Sequence, residues 1–122
     1  MNSPGADKSD MNYLFQILGN HWNLLIIWHL RGGALRFMEL QKRMDNVNSK
    51  TLTVHLRDLE NFHIIKRIVY PEVPLHVEYS LTEHGKAVIP VFSVIKKWGL
   101  SLPPPENIKN GKASLNDPSP KV

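Results

Sequence analysis

With 122 residues, a formal net charge of +4 and no cysteine, the chain is sized for one domain with its own core. It has no means of forming disulfides or thiolate metal sites. No apolar run nears the roughly 18 residues of a membrane span, since the longest, Trp22 to Leu30, contains Asn23 and His29. Residues 1–8 lack the basic-then-apolar layout of a signal peptide, so the sequence predicts a soluble, cytoplasmic protein without a membrane partner.

The charge is more telling by its place than by its size. Residues 1–35 and 68–102 each balance, whereas residues 36–67 carry Arg36, Lys42, Arg43, Lys50, Arg57, Lys66 and Arg67 against Glu39, Asp45, Asp58 and Glu60. Such a surplus is the footprint of a polyanionic partner, although a mildly basic solvated surface would share it.

In chain order, residues 1–9 are polar, contain Pro and Gly, and are expected to be disordered. Asp10 can cap a helix from about Met11 to Leu18, with Leu14, Ile17 and Leu18 on one face and Gly19 as its stop. Asn20 caps a second helix, His21 to Arg31, which is apolar around most of its circumference and so predicts the central post of the domain. Gly32-Gly33 ends it, and Ala34-Leu35 reads as a short strand or extended link. Arg36 to Met44 predicts a third short helix with Phe37, Leu40 and Met44 inward. A polar turn, Asp45 to Asn48, leads from it, with Val47 tucked underneath.

The fourth helix opens at Asn48-Ser49, both good cap residues. Leu52, Leu56 and Leu59 recur at helical spacing and must face the core, which turns Lys50, Val54 and Arg57 outward with Thr53 on the shoulder. Taken alone, this pattern also fits an ordinary amphipathic surface helix. Its context is a short helix, a tight turn and outward Lys, Thr and Arg, which together predict a helix-turn-helix whose second helix enters a DNA major groove.

Ile64 to Tyr70 and His76 to Leu81 read as two strands joined by the Pro71–Pro74 loop. A hairpin directly after the recognition helix is the wing of a winged helix. Thr82 can cap a last helix from Glu83 to about Leu102, kinked or broken at Pro90. Its Val88, Ile89, Val91, Phe92, Val94, Ile95, Trp98, Leu100 and Leu102 exceed what one small domain is expected to cover, so a dimer interface is expected there rather than packing onto the same domain. Pro103 to Pro105 stop it, and residues 103–122 are expected to be a disordered tail. The fold class is α+β, mainly α: a winged helix-turn-helix over residues 10–102, including N- and C-terminal dimerisation helices.

Catalysis finds little support. The six histidines never stand three or four apart, and no paired-carboxylate, phosphate-loop or nucleophile-elbow pattern accompanies them. Neither a cofactor nor a metal is expected. His29 reads as a core histidine. Trp22, Trp28 and Trp98 read as packing residues, with a small-molecule pocket as the alternative. The sequence thus predicts a non-enzyme, with two possible roles. One is a sequence-specific DNA-binding regulator, located at the nucleoid by its DNA. The other is a winged-helix protein-interaction module without DNA binding. Retention of Lys50, Thr53 and Arg57 on the outward face favours the first.

Several blocks, in this order and spacing, closely resemble the HxlR-type winged-helix transcriptional regulators, relatives of the MarR group. They are Leu18-Gly19-Asn20-His21-Trp22-Asn23-Leu24-Leu25-Ile26, Arg36-Phe37-Met38-Glu39-Leu40, Leu52-Thr53-Val54-His55-Leu56-Arg57-Asp58-Leu59, Val69 to Pro74, and Val77-Glu78-Tyr79-Ser80-Leu81-Thr82-Glu83-His84-Gly85. The resemblance spans about residues 9 to 100. It implies a homodimer on a pseudo-palindromic operator of double-stranded DNA, with recognition helices in successive major grooves and wings near the flanking minor groove. By the same resemblance Ser49, Lys50, Thr53, Val54 and Arg57 meet bases or phosphates, Arg36 meets phosphate, and the first and last helices form the interface, where Leu14, Phe92, Ile95 and Trp98 are the candidates.

Three departures from that pattern stand out. Ser9 occupies the place of a cysteine found in many members and used in some as a redox switch. His76 stands where an Arg is usual, leaving a phosphate contact that strengthens on protonation. Val54-His55 replaces polar or basic residues, and Val54 could meet a thymine methyl. Without a thiol, control is expected from a reversibly bound small-molecule effector, a partner or protein concentration. An effector would fit best between Trp22 and Ile26 of the second helix and Phe92 and Ile95 of the last.

Overall fold

The computed structural model describes residues 10–106. Ser9, residues 1–8 and the tail from 107 onward, for which disorder was expected, lie outside the described residues. The chain contains α1 (Met11–Leu18), α2 (His21–His29), a 3-10 turn (Leu30–Gly32), α3 (Phe37–Arg43), α4 (Ser49–Asn61), β1 (Ile65–Tyr70), β2 (His76–Leu81), α5 (Glu83–Ala87) and α6 (Ile89–Leu100). It divides into two compact units, residues up to Val91 and residues from Phe92 on. No helix among the described residues is long and apolar enough to cross a membrane.

The helix starts follow their caps. Asp10 accepts from the Asn12 N–H at 2.8 Å, Asn20 from Trp22 at 2.8 Å, and Asn48 from Lys50 at 2.8 Å, each satisfying a first-turn donor that the helix itself cannot. The core lies in the first unit. Ile26 and Ile27 of α2, Leu40 of α3, and Leu52, Leu56 and Leu59 of α4 are essentially inaccessible, and Leu30, Met44, Val47, Ile65 and Leu81 close around them. α4 packs on α2 and on β1, and α2 also meets α1 and α3, so the apolar second helix is the post that its composition predicts.

The wing is a two-stranded antiparallel sheet running from Ile65 opposite Leu81 to Tyr70 opposite His76. Leu35, expected in a strand or link, forms a single bridge to it. Its N–H donates to Tyr79 at 3.0 Å and its carbonyl accepts from Tyr79 at 2.8 Å. Arg36, expected as the first residue of α3, is instead its N-cap, with its N–H donating to the Glu39 carboxylate at 2.8 Å.

The last helix, expected as one kinked rod from Glu83, is two helices. Pro90 has no N–H and its ring would collide with the Lys86 carbonyl in an unbroken helix, so α5 ends at Ala87 and Pro90 falls in the first turn of α6, where it is tolerated. Ser101 and Leu102 follow α6 as a turn closed on Trp98 and Gly99.

The end of α4 is tied to both the wing and α5. His63 takes a left-handed conformation (φ 64°) while its N–H donates to Glu60 at 3.0 Å and the Ile64 N–H donates to Leu59 at 2.9 Å, a Schellman ending with histidine where glycine is usual. The Thr82 N–H then donates to the Ile64 carbonyl at 3.0 Å, and its hydroxyl oxygen caps α5 by accepting from Gly85 at 3.1 Å. Gly85 has to be glycine, because a Cβ there would run into the Ile64 carbonyl oxygen. Since a left-handed L-residue costs about 1–2 kcal/mol that glycine avoids, less about 0.4–1 kcal/mol for the freer unfolded chain, His63→Gly should stabilise the fold by roughly 0.5–1 kcal/mol. Urea unfolding should show a higher midpoint; a lower one would refute the strain assigned to His63.

Candidate nucleic-acid interface

The turn between α3 and α4 sets the direction in which α4 leaves. Asp45 and Asn46 are both left-handed, at φ 56° and 57°, a conformation that short polar side chains tolerate better than bulky ones. Gln41 fastens this turn from α3. Its Nε2 donates to the Val47 carbonyl at 2.8 Å and to the Ser49 Oγ at 2.9 Å, while its carbonyl accepts from Asn46 at 2.9 Å. Gln41 carries no mark of this role in its local sequence. A glutamine eight residues before a cap-region serine carries no signal until the turn is known.

Beyond the turn, α4 buries its leucines and turns the expected residues outward. Lys50, Val54 and Arg57 are exposed on the face opposite the leucine stripe, Thr53 is half-buried on its shoulder, and Ser49 is exposed at the first turn, beside the turn that Gln41 fastens. Asn48 satisfies the Lys50 and Thr51 N–H groups. Among the described residues, Lys50, Arg57 and the exposed Arg36 make no ion pair; the ion pairs there join His76 to Glu72 and Glu78, and Lys86 to Glu83. The face therefore offers Lys50 and Arg57 without an ion pair among the described residues, the Thr53 hydroxyl and the Val54 methyls, beside the exposed Asp58 carboxylate; the first four are groups that meet phosphates, base edges and thymine methyls.

His76 is placed differently. Its Nε2 lies 2.8 Å from Glu78, its Nδ1 lies 3.4 Å from Glu72, and its ring packs 4.7 Å from that of Tyr70. Both nitrogens face carboxylates of the wing itself, where a group free for an outward phosphate contact was expected. The wing tip beyond is apolar, with Val73 wholly exposed and Leu75 largely so. Lys66 and Arg67 on β1 are the exposed wing cations.

His55 also turns inward. It is half-buried, and its Nδ1 lies 3.1 Å from the Oδ1 of Asn23, which is buried in α2. Of the residues expected at an interface between copies, Ile95 and Trp98 are exposed, while Leu14 and Phe92 are half-buried. Val91, Val94, Ile95 and Trp98 line one face of α6, and neither α1 nor α6 buries any residue fully. On α1 the exposed apolar groups are Met11 and Phe15, neither of them among the expected interface residues. Ile26, expected beside an effector, is enclosed in the core.

Two short helices across a tight turn, followed directly by a hairpin, define a winged helix-turn-helix protein. The HxlR-like helix-turn-helix model matches residues 17–107, and the chain belongs to that family. A helix-turn-helix transcriptional regulator of Methanothermobacter thermautotrophicus is 42% identical over 101 residues, which are 78% of this chain and 77% of that protein. The reduced form of the regulator YodB from Bacillus subtilis superposes with a TM-score of 0.68 at 37% identity, over 81% of this chain and 92% of that one; YodB is also known in a quinone-bound form. The oxidized form of the redox regulator HypR gives 0.69 at 34% identity, over 76% of this chain and 96% of that one. The family and these relatives are transcriptional regulators, not enzymes, and this chain is a transcriptional regulator with a helix-turn-helix domain.

One titrating group bears on the stability of the turn. His29, at the end of α2, is held below its ordinary value of 6.5 by burial first and then by the Arg43 and Arg31 charges, with Asp45 opposing. The unfolded chain therefore takes up this proton before the folded one does. The contribution of His29 to stability is complete above about pH 6.5 and declines as the pH falls from there to the lower folded value. Replacing it by a neutral residue removes that decline. The stability difference between wild type and His29→Gln should shift in favour of the variant between about pH 7.5 and about pH 5, measured as denaturant midpoints. A difference independent of pH would contradict this.

Proposed function

We propose that the chain acts as a homodimer that reads an inverted-repeat operator in double-stranded DNA. The observation that carries this reading is the outward face of α4, where Lys50 and Arg57, which make no ion pair among the described residues, stand beside Thr53 and Val54 on a helix whose opposite side is locked into the core. In this reading α4 lies in the major groove, Thr53 and Val54 meet base edges, and Lys50, Arg57 and Ser49 meet bases or phosphates. Arg36, exposed at the start of α3, contacts the phosphate backbone. We leave His76 out of the contact set because its ring nitrogens already face Glu72 and Glu78. Lys66 and Arg67 are the wing groups suited to the flanking backbone.

A second copy would cover the apolar face of α6, where exposed Val94, Ile95 and Trp98 would otherwise remain wet. Two-fold symmetry then presents two recognition helices about 34 Å apart, one DNA turn, on an inverted repeat. Leu14 and Phe92 are proposed to lie at the edge of that interface. The protein works in the cytoplasm, at the nucleoid. A quinone occupies YodB and HypR is a redox regulator; the sequence of this chain has no cysteine, which closes thiol oxidation to it and leaves a reversibly bound effector, a partner or protein concentration as the means of control.

Lys50→Ala and Arg57→Ala should each cost about 1–3 kcal/mol of operator affinity where the side chain reads a base, and lower the salt dependence by about one unit of slope where it meets phosphate. Fluorescence anisotropy against DNA flanking the protein's own gene measures both, and unchanged binding by the double variant would remove α4 from the interface. Trp98→Glu should place a charge in the interface between copies and shift the protein toward monomer. An intact dimer by light scattering would rule out that face.

A further inference from the structure

Asn23 is an amide among the apolar residues of α2, and it is 2% exposed. Its Nδ2 donates to the Ile17 carbonyl near the end of α1 at 3.1 Å, and its Oδ1 lies 3.1 Å from His55 Nδ1 on α4. A carbonyl can only accept, so Ile17 fixes the amide with its NH2 toward α1 and its oxygen toward α4. His55 therefore carries its proton on Nδ1 and donates it to Asn23. One buried side chain joins three helices.

The leucine contact cannot do the same work. Leu52, Leu56 and Leu59 bury α4 beside Ile26 and Ile27 of α2, and apolar contact is non-directional and tolerates repacking. A hydrogen bond weakens steeply off its axis, and a buried amide is costly unless its bonds are made. His55 directly follows Val54 and stands two residues from both Thr53 and Arg57, so holding its ring sets the rotation of α4 that aims all three. We propose that Asn23 and His55 are positioning residues for DNA reading: without touching DNA, they fix the rotation of α4 and tie it to α1. The inference rests on the proposed reading of DNA by α4.

The test uses the full chain and a duplex selected by the wild-type protein from a random-sequence library, with a scrambled duplex of equal length as the non-specific probe. Asn23→Leu and His55→Leu should each weaken binding to the selected duplex about tenfold, while binding to the scrambled duplex, which depends on non-directional charge, changes by less than about twofold. The double variant should lose no more than either single one, since both remove the same bond. His55→Gln, whose amide can donate to Asn23, should recover most of the loss. Equal losses on both duplexes, additive losses, or none at all would overturn the proposal. Should the leucine variants fail to fold, 15N NMR of the wild-type imidazole decides: neutral His55 protonated at Nδ1 supports the link, and protonation at Nε2 overturns it. If the wild type selects no sequence, DNA reading by α4 fails and this inference fails with it, whereas selection with unaffected variants removes the inference alone.

Discussion

Burial of the Leu52, Leu56 and Leu59 stripe beside α2 decides what α4 can show to solvent. Each leucine is essentially inaccessible, and removing such a side chain typically costs about 2–5 kcal/mol, so the helix cannot turn another face inward without large loss. The far side of the helix is left to residues that contribute little to the core, among them Lys50, Val54 and Arg57 of the proposed interface and the exposed Asp58. Both ends of the helix are then pinned by polar bonds. Gln41 and Asn48 secure the start, and the Schellman ending at His63 with Thr82 and Gly85 secures the finish. The wing and α5 are attached at that second point, so their placement follows from how α4 ends.

Most of this frame was legible in the sequence because it rests on short-range rules. The 3–4 spacing of leucines, an Asx residue before α1, α2 and α4, a strand–loop–strand pattern and a proline inside an apolar helix are each decided by neighbours close in sequence. What could not be read depends on partners distant in sequence. His55 looks like an outward polar residue next to Val54, and only the meeting of α2 with α4 brings Asn23 to it, 32 residues away. His76 is the opposite case: Glu78 stands two residues on, on the same face of β2, and Glu72 four residues back in the loop, so this pairing lay within reach of the strand's alternation. Asn23 did leave a trace, as an amide in a run of apolar residues, and that trace pointed away from a membrane span rather than toward a partner.

The same geometry separates two kinds of polar group. Asn23, Gln41 and Thr82 have their bonds met within the fold and act as fasteners. Lys50, Arg57 and Arg36 have no ion pair among the described residues and stay available to a polyanion. In the wing the two kinds are divided by strand: His76 of β2 is paired to glutamates and the tip is apolar, whereas Lys66 and Arg67 of β1 are exposed.

The Asn23 link gives this division a consequence beyond binding. α1 buries none of its residues fully and leaves Met11 and Phe15 exposed, which suits it to contact between copies, and its carbonyl at Ile17 is held by the same amide that holds His55. A change in how α1 is seated therefore acts on α4 through two directional bonds rather than through a deformable apolar layer. Coupling of this kind requires no cysteine and no large motion, only that two arrangements of one buried amide differ in free energy and that an event at α1 favours one of them. For a chain without a thiol to oxidise, that is a physically sufficient route from an event at α1 to the rotation of its reading helix.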